Sequence, residues 1–402
     1  MTTRKFDNFK TAITDPDYFF GRADFLETIS KSPFKVHILL GGRRIGKTSA
    51  LRAVEWSFLN PNFNGNHRAF PVLVNLQIEQ PKNPDNFRYI LISSLREAIE
   101  RWKHTKLSKL RETYLYYLRQ VISGQISLGS FLKLKINNPD QERCLSNDDF
   151  RYILLKSIKE LRNKLHFNGV CFLLDEAEFI VRQEWGGDVC SYIRGLKDTD
   201  TALGPFLGFI LSGYRDLKNY NQKVGSPLSN IADIHWLCSL NESDTRDLIK
   251  FRSKEEKVPL NKSGVQKILE LSGCHLFLIQ QLLNTVFDNY HEKKSFSLGT
   301  LMEDMLLQHD QIFSSWWNAD GNSDGFGEDE RNVYKALIEK RMGTYKELTK
   351  STQLSMNKVR SALLVLVGTG LLTQLDEKQF EINSMLFETW VTQENPWVIK
   401  KI

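Results

Sequence analysis

The chain has 402 residues, 41% of them hydrophobic, with 54 Lys and Arg residues against 48 Asp and Glu residues. This length predicts about two to three domains, and the net charge of +6 permits contact with nucleic acid without requiring it. The sequence lacks a signal-peptide core and any run near the ~18 apolar residues of a membrane helix. The five cysteines show neither disulfide nor metal-binding spacing. We therefore expect a cytoplasmic protein that has no membrane partner.

The segment 41–48 matches the phosphate-binding loop pattern G-x-x-x-x-G-K-[ST] in full. The apolar run 36–40 before it predicts a buried strand, and the segment 48–54 after it predicts a helix. In this context the backbone N–H groups face an anion at the positive end of the helix dipole. The predicted nucleotide-binding residues of the loop are Gly41, Gly42, Arg43, Arg44, Ile45, Gly46, Lys47, Thr48 and Ser49.

Two of these side chains have specific tasks in the predicted site. Lys47 is expected to reach the β- and γ-phosphates, and the Thr48 hydroxyl is expected to bind Mg²⁺. The sequence therefore predicts ATP and Mg²⁺ as cofactors, and it leaves open whether ATP is preferred over GTP.

Strand-like and helix-like segments alternate up to about residue 235. The strands predicted after the loop are 71–76, 170–174 and 207–211, and the main predicted helices are 84–123 and 148–165. Continuously apolar strands that alternate with helices indicate an α/β fold with a parallel sheet covered on both faces. We assign residues 15–235 to a P-loop ATPase core, with an insertion at about 103–147.

Charged residues follow two of the predicted strands. The strand 170–174 runs into Asp175, which is expected to hold Mg²⁺, and Glu176, which is expected to polarise the attacking water. Glu178 has no assigned role, and we interpret it as a surface carboxylate. Arg215 follows the next strand, where its permanently cationic fork suits the γ-phosphate. The predicted catalytic residues are Lys47, Asp175, Glu176 and Arg215, and the predicted metal ligands are Thr48 and Asp175.

Strand signals stop at about residue 236. The consecutive helices predicted there are 242–255, 261–272, 275–290 and 297–316. We assign residues 236–317 to a helical lid and the Gly- and Asp-rich segment 318–330 to a linker. In 331–402, three predicted helices followed by a hairpin are typical of a winged helix-turn-helix domain.

The phosphate loop, with two arginines before its second glycine, resembles that of the STAND class of signal-transduction ATPases in the AAA+-like group. The likeness is greatest to the archaeal and bacterial ATPase branch. Residues 18–24 are similar to its aromatic-Gly-Arg segment, and residues 211–216 resemble an arginine-bearing sensor. Residues 273–280 resemble the Gly-x-Pro segment of the lid, with Leu276 in place of the proline. The resemblance implies nucleotide contacts for Gly21, Arg22 and His275.

The resemblance also implies an ATP-controlled molecular switch with slow, regulatory hydrolysis. Many proteins of that class carry a repeat sensor or a fused effector domain, and this sequence has neither. It therefore implies a separate protein partner or effector, in prokaryotic defence or regulation, and leaves open a nucleotide-dependent homo-oligomer.

Two alternatives remain beside the switch. Archaeal origin-recognition proteins and transposition regulators also combine such a core with a winged helix, which would make the protein a DNA-binding ATPase. The candidate DNA-binding residues, on the third helix of the C-terminal domain, are Asn357, Lys358 and Arg360. A pseudo-ATPase that binds nucleotide structurally is disfavoured by the intact phosphate loop and acid pair.

Overall fold

The computed structural model describes residues 12–60, 68–104, 144–293, 297–318 and 325–394. Most of the predicted insertion at 103–147 lies outside these ranges and stays a prediction. The described residues form two compact units. The sheet unit takes in residues 23–39 and 50–235, and the helical unit takes in residues 12–22, 40–49 and those from 236 onward, where they are described.

The sheet unit is built on a parallel sheet. Its strands are β1 (Val36–Leu40), β2 (Ala69–Asn75), β3 (Gly169–Asp175), β4 (Leu207–Gly213) and β5 (Ala232–Trp236). Their order is β2-β3-β4-β1-β5, and in register Asn75 pairs with Asp175 and Leu174 with Leu211. Every residue of β1, β3 and β4 is buried. The predicted α/β fold with a covered parallel sheet is confirmed.

Helices connect and cover these strands. They are α1 (Ala23–Lys31), α2 (Lys47–Leu59), α3 (Leu76–Glu79), α4 (Pro84–His104), α5 (Asn147–Leu165), α6 (Glu178–Val181), α7 (Gly186–Asp198) and α8 (Arg215–Gln222). The Ser146 hydroxyl caps α5 by accepting from the Asp149 N–H at 3.2 Å, and apolar residues three or four apart, such as Leu154, Ile158 and Leu161, are buried. The helix predicted at 84–123 is observed as far as His104, beyond which the prediction lies outside the described residues.

From residue 236 onward, the helical unit has four consecutive helices, as predicted. They are α9 (Glu242–Glu256), α10 (Lys262–Ser272), α11 (Leu276–His291) and α12 (Leu298–Trp317). Side-chain oxygens cap three of them: Asn241 accepts from Asp244 N–H, Asn261 from Gly264 N–H and Ser297 from Thr300 N–H.

The C-terminal part of the helical unit is a winged helix. Its elements are α13 (Glu328–Lys340), β6 (Met342–Thr344), α14 (Tyr345–Thr352), α15 (Met356–Gly368), β7 (Leu372–Gln374), β8 (Gln379–Ile382) and α16 (Met385–Glu394). The three strands form an antiparallel sheet of order β6-β8-β7. Ser355 caps α15 by accepting from the Lys358 N–H.

One hydrophobic core runs through this unit from Leu240 to Val391. At its centre, the ring of Phe387 lies 5.5 Å from Tyr334 and 5.8 Å from Trp316, between ring centroids. The first helices and the winged helix therefore share their buried aromatic residues. Among the described residues, no helix combines the length and the apolar character needed to cross a bilayer.

Candidate nucleotide-binding site

The phosphate loop follows β1 and runs into α2. Arg44, with φ 61°, and Gly46, with φ 97°, adopt left-handed backbone conformations that curl the loop. The Lys47 ammonium donates to the carbonyls of Gly41 at 2.9 Å and Gly42 at 3.1 Å. Neutral oxygens of its own loop therefore hold this charge, and an anionic phosphate oxygen is the stronger acceptor.

The turn that follows α15 packs on the same loop. The Gly42 N–H donates to the Gly368 carbonyl at 2.9 Å. A Cβ on Gly42 would lie 2.9 Å from the Thr369 Cα, and a Cβ on Gly370 would lie 2.7 Å from the Ile45 Cδ1. Because real Cβ atoms do not approach other atoms so closely, Gly42 has no room for a side chain against the Thr369 backbone, and a Cβ on Gly370 would displace the Ile45 side chain. The winged helix thus occupies one N–H of the phosphate loop.

The start of α11 also borders the loop. His275 is 1% exposed, and its ring centroid lies 4.9 Å from that of Trp316. Burial and, to a smaller extent, the charge of Arg22 lower the pKa of His275 to about 3. A Cβ on Gly46 would lie 2.9 Å from the Leu276 side chain. Leu276 therefore packs directly on the phosphate loop.

Arg22 connects the loop to the chain that follows β5. Its guanidinium donates to the Cys238 carbonyl at 2.5 Å and to the Ile45 carbonyl at 3.4 Å. Burial lowers the pKa of Arg22 to about 10, so the side chain stays charged at neutral pH. Gly21 has φ 74°, and a Cβ there would lie 2.7 Å from the Asp244 carboxylate. Arg22 thus bonds to the backbone of the loop, and Gly21 comes just before it in the chain.

The two arginines of the loop are exposed. The Arg44 guanidinium lies 4.6 Å above the Phe277 ring centroid, in cation–π contact. Arg43 lines a small, open pocket together with Trp316, Phe326 and Thr369.

The hydroxyl residues at the start of α2 differ in their surroundings. Ser49 is 5% exposed, and its hydroxyl accepts from the Ile13 N–H at 3.0 Å. Thr48 is partly exposed. Thr48 is therefore the better placed of the two for a metal-bound nucleotide.

The acid pair lies at the carboxyl end of β3, in the sheet unit. Asp175 is its last residue and is 1% exposed. Glu176 follows with a left-handed φ of 55° and is partly exposed. Arg215 is the first residue of α8, directly after β4 and the single residue Tyr214. The structure thus brings the acids and the arginine to the ends of two paired strands.

Glu178 is buried, and our interpretation of it as a surface carboxylate is wrong. Its side chain is 6% exposed, and its Oε1 accepts from the Asp216 N–H at 3.0 Å. Spacing along the chain could not reveal this contact, because its partner is 38 residues away.

The candidate DNA-binding residues are all exposed at the start of α15. Asn357, Lys358 and Arg360 are exposed, whereas Val359 and Leu363 are buried in the core. The Lys358 ammonium lies 3.4 Å from the Asp329 carboxylate, with 59% of its side chain exposed.

The groups at the phosphate loop suit a nucleotide phosphate, and those at the end of β3 suit a metal ion. Backbone N–H groups, an ammonium group and a hydroxyl surround the start of α2, and a carboxylate ends β3. In the described part of the chain, no group of three or more His, Cys, Asp and Glu side chains could hold a metal ion. Mg²⁺ commonly takes one or two protein ligands and completes its shell with phosphate oxygens and water, so the lack of such a cluster does not argue against a metal-bound nucleotide.

Comparison with solved structures identifies the fold. A Walker-type ATPase of Pyrococcus abyssi superposes with a TM-score of 0.59 over 95% of this chain and 98% of that chain, at 15% identity. At 15% sequence identity, this likeness establishes the fold alone. The chain has the fold of a P-loop ATPase with a C-terminal winged helix.

Two further likenesses are more distant. The ORC1 protein of Aeropyrum pernix in complex with DNA gives a TM-score of 0.39 at 12% identity, over 96% of each chain. Cdc6p from Pyrobaculum aerophilum gives a TM-score of 0.42 at 14% identity, over 98% of each chain. At these TM-scores neither likeness bears on what this chain does.

At the level of sequence, the match is local. The family model of the RNA polymerase III subunit RPC82 helix-turn-helix domain matches residues 323–374, which include α13, α14 and α15. No curated protein sequence matches the chain significantly.

Proposed function

We propose that the protein is a slow Mg-ATPase of the STAND type, in which the bound nucleotide sets the position of the winged helix. The observation that carries the proposal is the hydrogen bond from the Gly42 N–H to the Gly368 carbonyl. This N–H belongs to the loop that cradles phosphates, so a phosphate oxygen and the winged helix compete for one donor. Binding of one weakens binding of the other.

The strengths of the two acceptors favour the nucleotide. A hydrogen bond between neutral groups contributes about 0.5–1.5 kcal/mol net, and one to a charged group about 1.5–3 kcal/mol. Lys47 would also exchange neutral acceptors for phosphate oxygens, because it donates to the carbonyls of Gly41 and Gly42 in this structure. A triphosphate would replace both sets of neutral acceptors at once.

In this proposal, each predicted site residue has one task. Lys47 and the loop N–H groups bind the phosphates, Thr48 and Asp175 hold Mg²⁺, and Glu176 orients the attacking water. Mg²⁺ supplies positive charge that offsets the charge of the phosphate oxygens. Arg215, at the start of α8, contacts the γ-phosphate and distinguishes ATP from ADP.

In this proposal, a further molecule must respond to the change in the position of the winged helix. A separate protein partner or effector, or a nucleotide-dependent homo-oligomer, would respond to the released winged helix. Prokaryotic defence or regulation is the setting implied by the resemblance of the sequence motifs.

A DNA-binding ATPase is the second candidate, and it has at least as much support. The helix-turn-helix match covers α15, and that helix exposes Asn357, Lys358 and Arg360 near its start. Exposed amide and basic side chains on such a helix can read base edges and bind phosphates in a major groove. The two candidates are compatible, because the exposed residues lie at the start of α15 and Gly368 lies at its end.

The substitution Lys47→Ala tests nucleotide binding. We expect the dissociation constant for Mg-ATP to rise by about tens- to hundredfold, since a charge-assisted contact to phosphate is lost. Isothermal titration calorimetry measures it. Lys31→Ala is the matched control, because Lys31 is an exposed lysine at the end of α1. Equal affinity of Lys47→Ala and wild type would refute the assignment of the loop.

A further inference from the structure

Glu178 ties the loop after β3 to the start of α8. It is the first residue of α6 and comes two positions after Glu176. Its Oε1 accepts from the N–H of Asp216, the residue that follows Arg215. A side chain that is 6% exposed is thus bonded to the backbone beside the proposed γ-phosphate contact.

Further contacts join the same two segments. The Arg182 Nε donates to the Asp216 carboxylate at 2.5 Å, and the Ala177 N–H donates to the Ser212 carbonyl at 2.8 Å. A Cβ on Gly213 would lie 3.0 Å from the Glu178 Cγ. The two segments therefore approach each other closely, and glycine at position 213 makes room for the Glu178 side chain.

The bond from Glu178 satisfies a need of α8. The first N–H groups of a helix have no partner within the helix, and a capping side chain normally accepts one of them. Tyr214, at the N-cap position of α8, provides no such bond. Glu178 supplies the acceptor from another element, and a carboxylate at a helix N-terminus is also favoured by the helix dipole.

We infer that Glu178 is a positioning residue, which fixes Arg215 relative to Asp175 and Glu176 by capping α8 from the loop after β3. This inference rests on the proposed ATPase function. A general base needs access to water, and Glu178 is buried with one oxygen bonded to a backbone N–H, whereas Glu176 is partly exposed. The two glutamates thus divide the work: Glu176 acts on water, and Glu178 holds the arginine in place.

The pair Glu178→Gln and Glu178→Ala separates these roles. The Gln carbonyl keeps an acceptor for the Asp216 N–H, so we expect its kcat to stay within about threefold of wild type. The Ala variant loses the acceptor, and we expect kcat to fall about ten- to hundredfold, with little change in KM. It should also lose the preference for ATP over ADP in calorimetric binding, since Arg215 would no longer be held at the γ-phosphate.

The outcomes distinguish the inference from the proposed function. If Glu178→Gln loses activity as severely as Glu176→Gln, Glu178 is a base and the inference is wrong. If Glu178→Ala keeps the wild-type preference for ATP over ADP, its role is merely structural and the inference is also wrong. A wild-type protein that binds no Mg-ATP would overturn the proposed function, and the inference with it.

A second variant covers the case in which Glu178→Ala does not fold. Arg182→Ala removes the other side-chain bond to Asp216, and its side chain is 47% exposed, so little packing is lost. We expect the ratio of ATP to ADP affinities to fall about twofold or more, in the same direction. An unchanged ratio in Arg182→Ala would then contradict the inference.

Discussion

The phosphate loop and the ends of β3 and β4 are held in place by different kinds of bonds. In the loop, Lys47 donates to the Gly41 and Gly42 carbonyls, and the Gly42 N–H donates to the Gly368 carbonyl. These donors are the ones that a bound triphosphate requires. At the strand ends, by contrast, Glu178 and Arg182 both bond to Asp216, and neither side chain has a predicted contact with nucleotide.

Under the proposed function, this difference predicts which region would change when nucleotide binds. Bonds to the loop must exchange partners, so the loop and the end of α15 respond to occupancy. Bonds at the strand ends can persist, so Asp175 and Arg215 keep a fixed relation. A nucleotide-controlled switch needs contacts that change with the bound nucleotide and contacts that stay the same in every state.

The largest effect is expected from Glu176→Gln, which tests whether residues at the ends of β3 and β4 catalyse ATP hydrolysis. The amide keeps the shape of the side chain and loses the base, so turnover should fall about a hundredfold or more while ATP affinity is retained. Phosphate-release assays and calorimetry measure the two quantities. Glu184→Gln, at an exposed glutamate between α6 and α7, is the matched control. Equal turnover in Glu176→Gln and wild type would assign the water to another carboxylate.

The elements of both regions were largely predictable from the sequence. Continuous apolar runs predicted β1, β3 and β4, and helical periodicity predicted α9 to α12 within about one residue at each end. The edge strand β5 was missed because Ala-Asp-Ile-His-Trp is partly exposed and contains no apolar run. The final helix α16 and the short strand β6 were also missed.

The bonds that distinguish the two regions were not predictable. The Gly42–Gly368 bond joins residues more than three hundred positions apart, and glycine 368 follows an ordinary helix pattern. Glu178 looked like an unassigned acid because its partner is a backbone N–H, which every residue but proline carries. Motifs therefore located the phosphate loop and the acids, whereas the long-range bonds that restrain them came only from the structure.

The next variant is expected to have a smaller effect, and it tests whether α15 binds DNA. Lys358→Glu with Arg360→Glu should weaken binding of duplex DNA about tenfold or more at ~0.1 M salt, because two candidate phosphate contacts are reversed. The slope of log affinity against log salt should also flatten by about two. Fluorescence anisotropy of a labelled duplex measures both.

The control for this variant carries the same change of charge elsewhere. Lys250→Glu with Lys254→Glu alters exposed lysines on α9. If both double variants bind duplex equally well, α15 does not bind DNA. The winged helix would then act as a packing module of the switch alone.

The smallest effect is expected from Gly370→Ala, which loosens the loop without changing any group that binds phosphate. Gly370 has φ 76°, and an added Cβ would lie 2.7 Å from the Ile45 Cδ1 and 3.1 Å from the Ser239 backbone nitrogen. The Ile45 side chain can rotate aside but the Ser239 backbone cannot, so we expect the turn after α15 to move away from the loop and to release the Gly42 N–H from the Gly368 carbonyl. Because the winged helix no longer competes, the dissociation constant for Mg-ATP should fall by about two- to tenfold, the equivalent of one neutral hydrogen bond.

The control for Gly370→Ala isolates the contact from backbone strain. Gly225 has φ 81° with no atom within 4 Å of an added Cβ. We therefore expect Gly225→Ala to lower the free energy of unfolding by a similar amount, about 1–2 kcal/mol, through its left-handed conformation and without contact with the loop. Thermal melts should show comparable destabilisation of both variants, and calorimetry should show tighter ATP binding only for Gly370→Ala. Weaker or unchanged binding in that variant would mean that the winged helix supports the phosphate loop, and the proposed competition between them would be wrong.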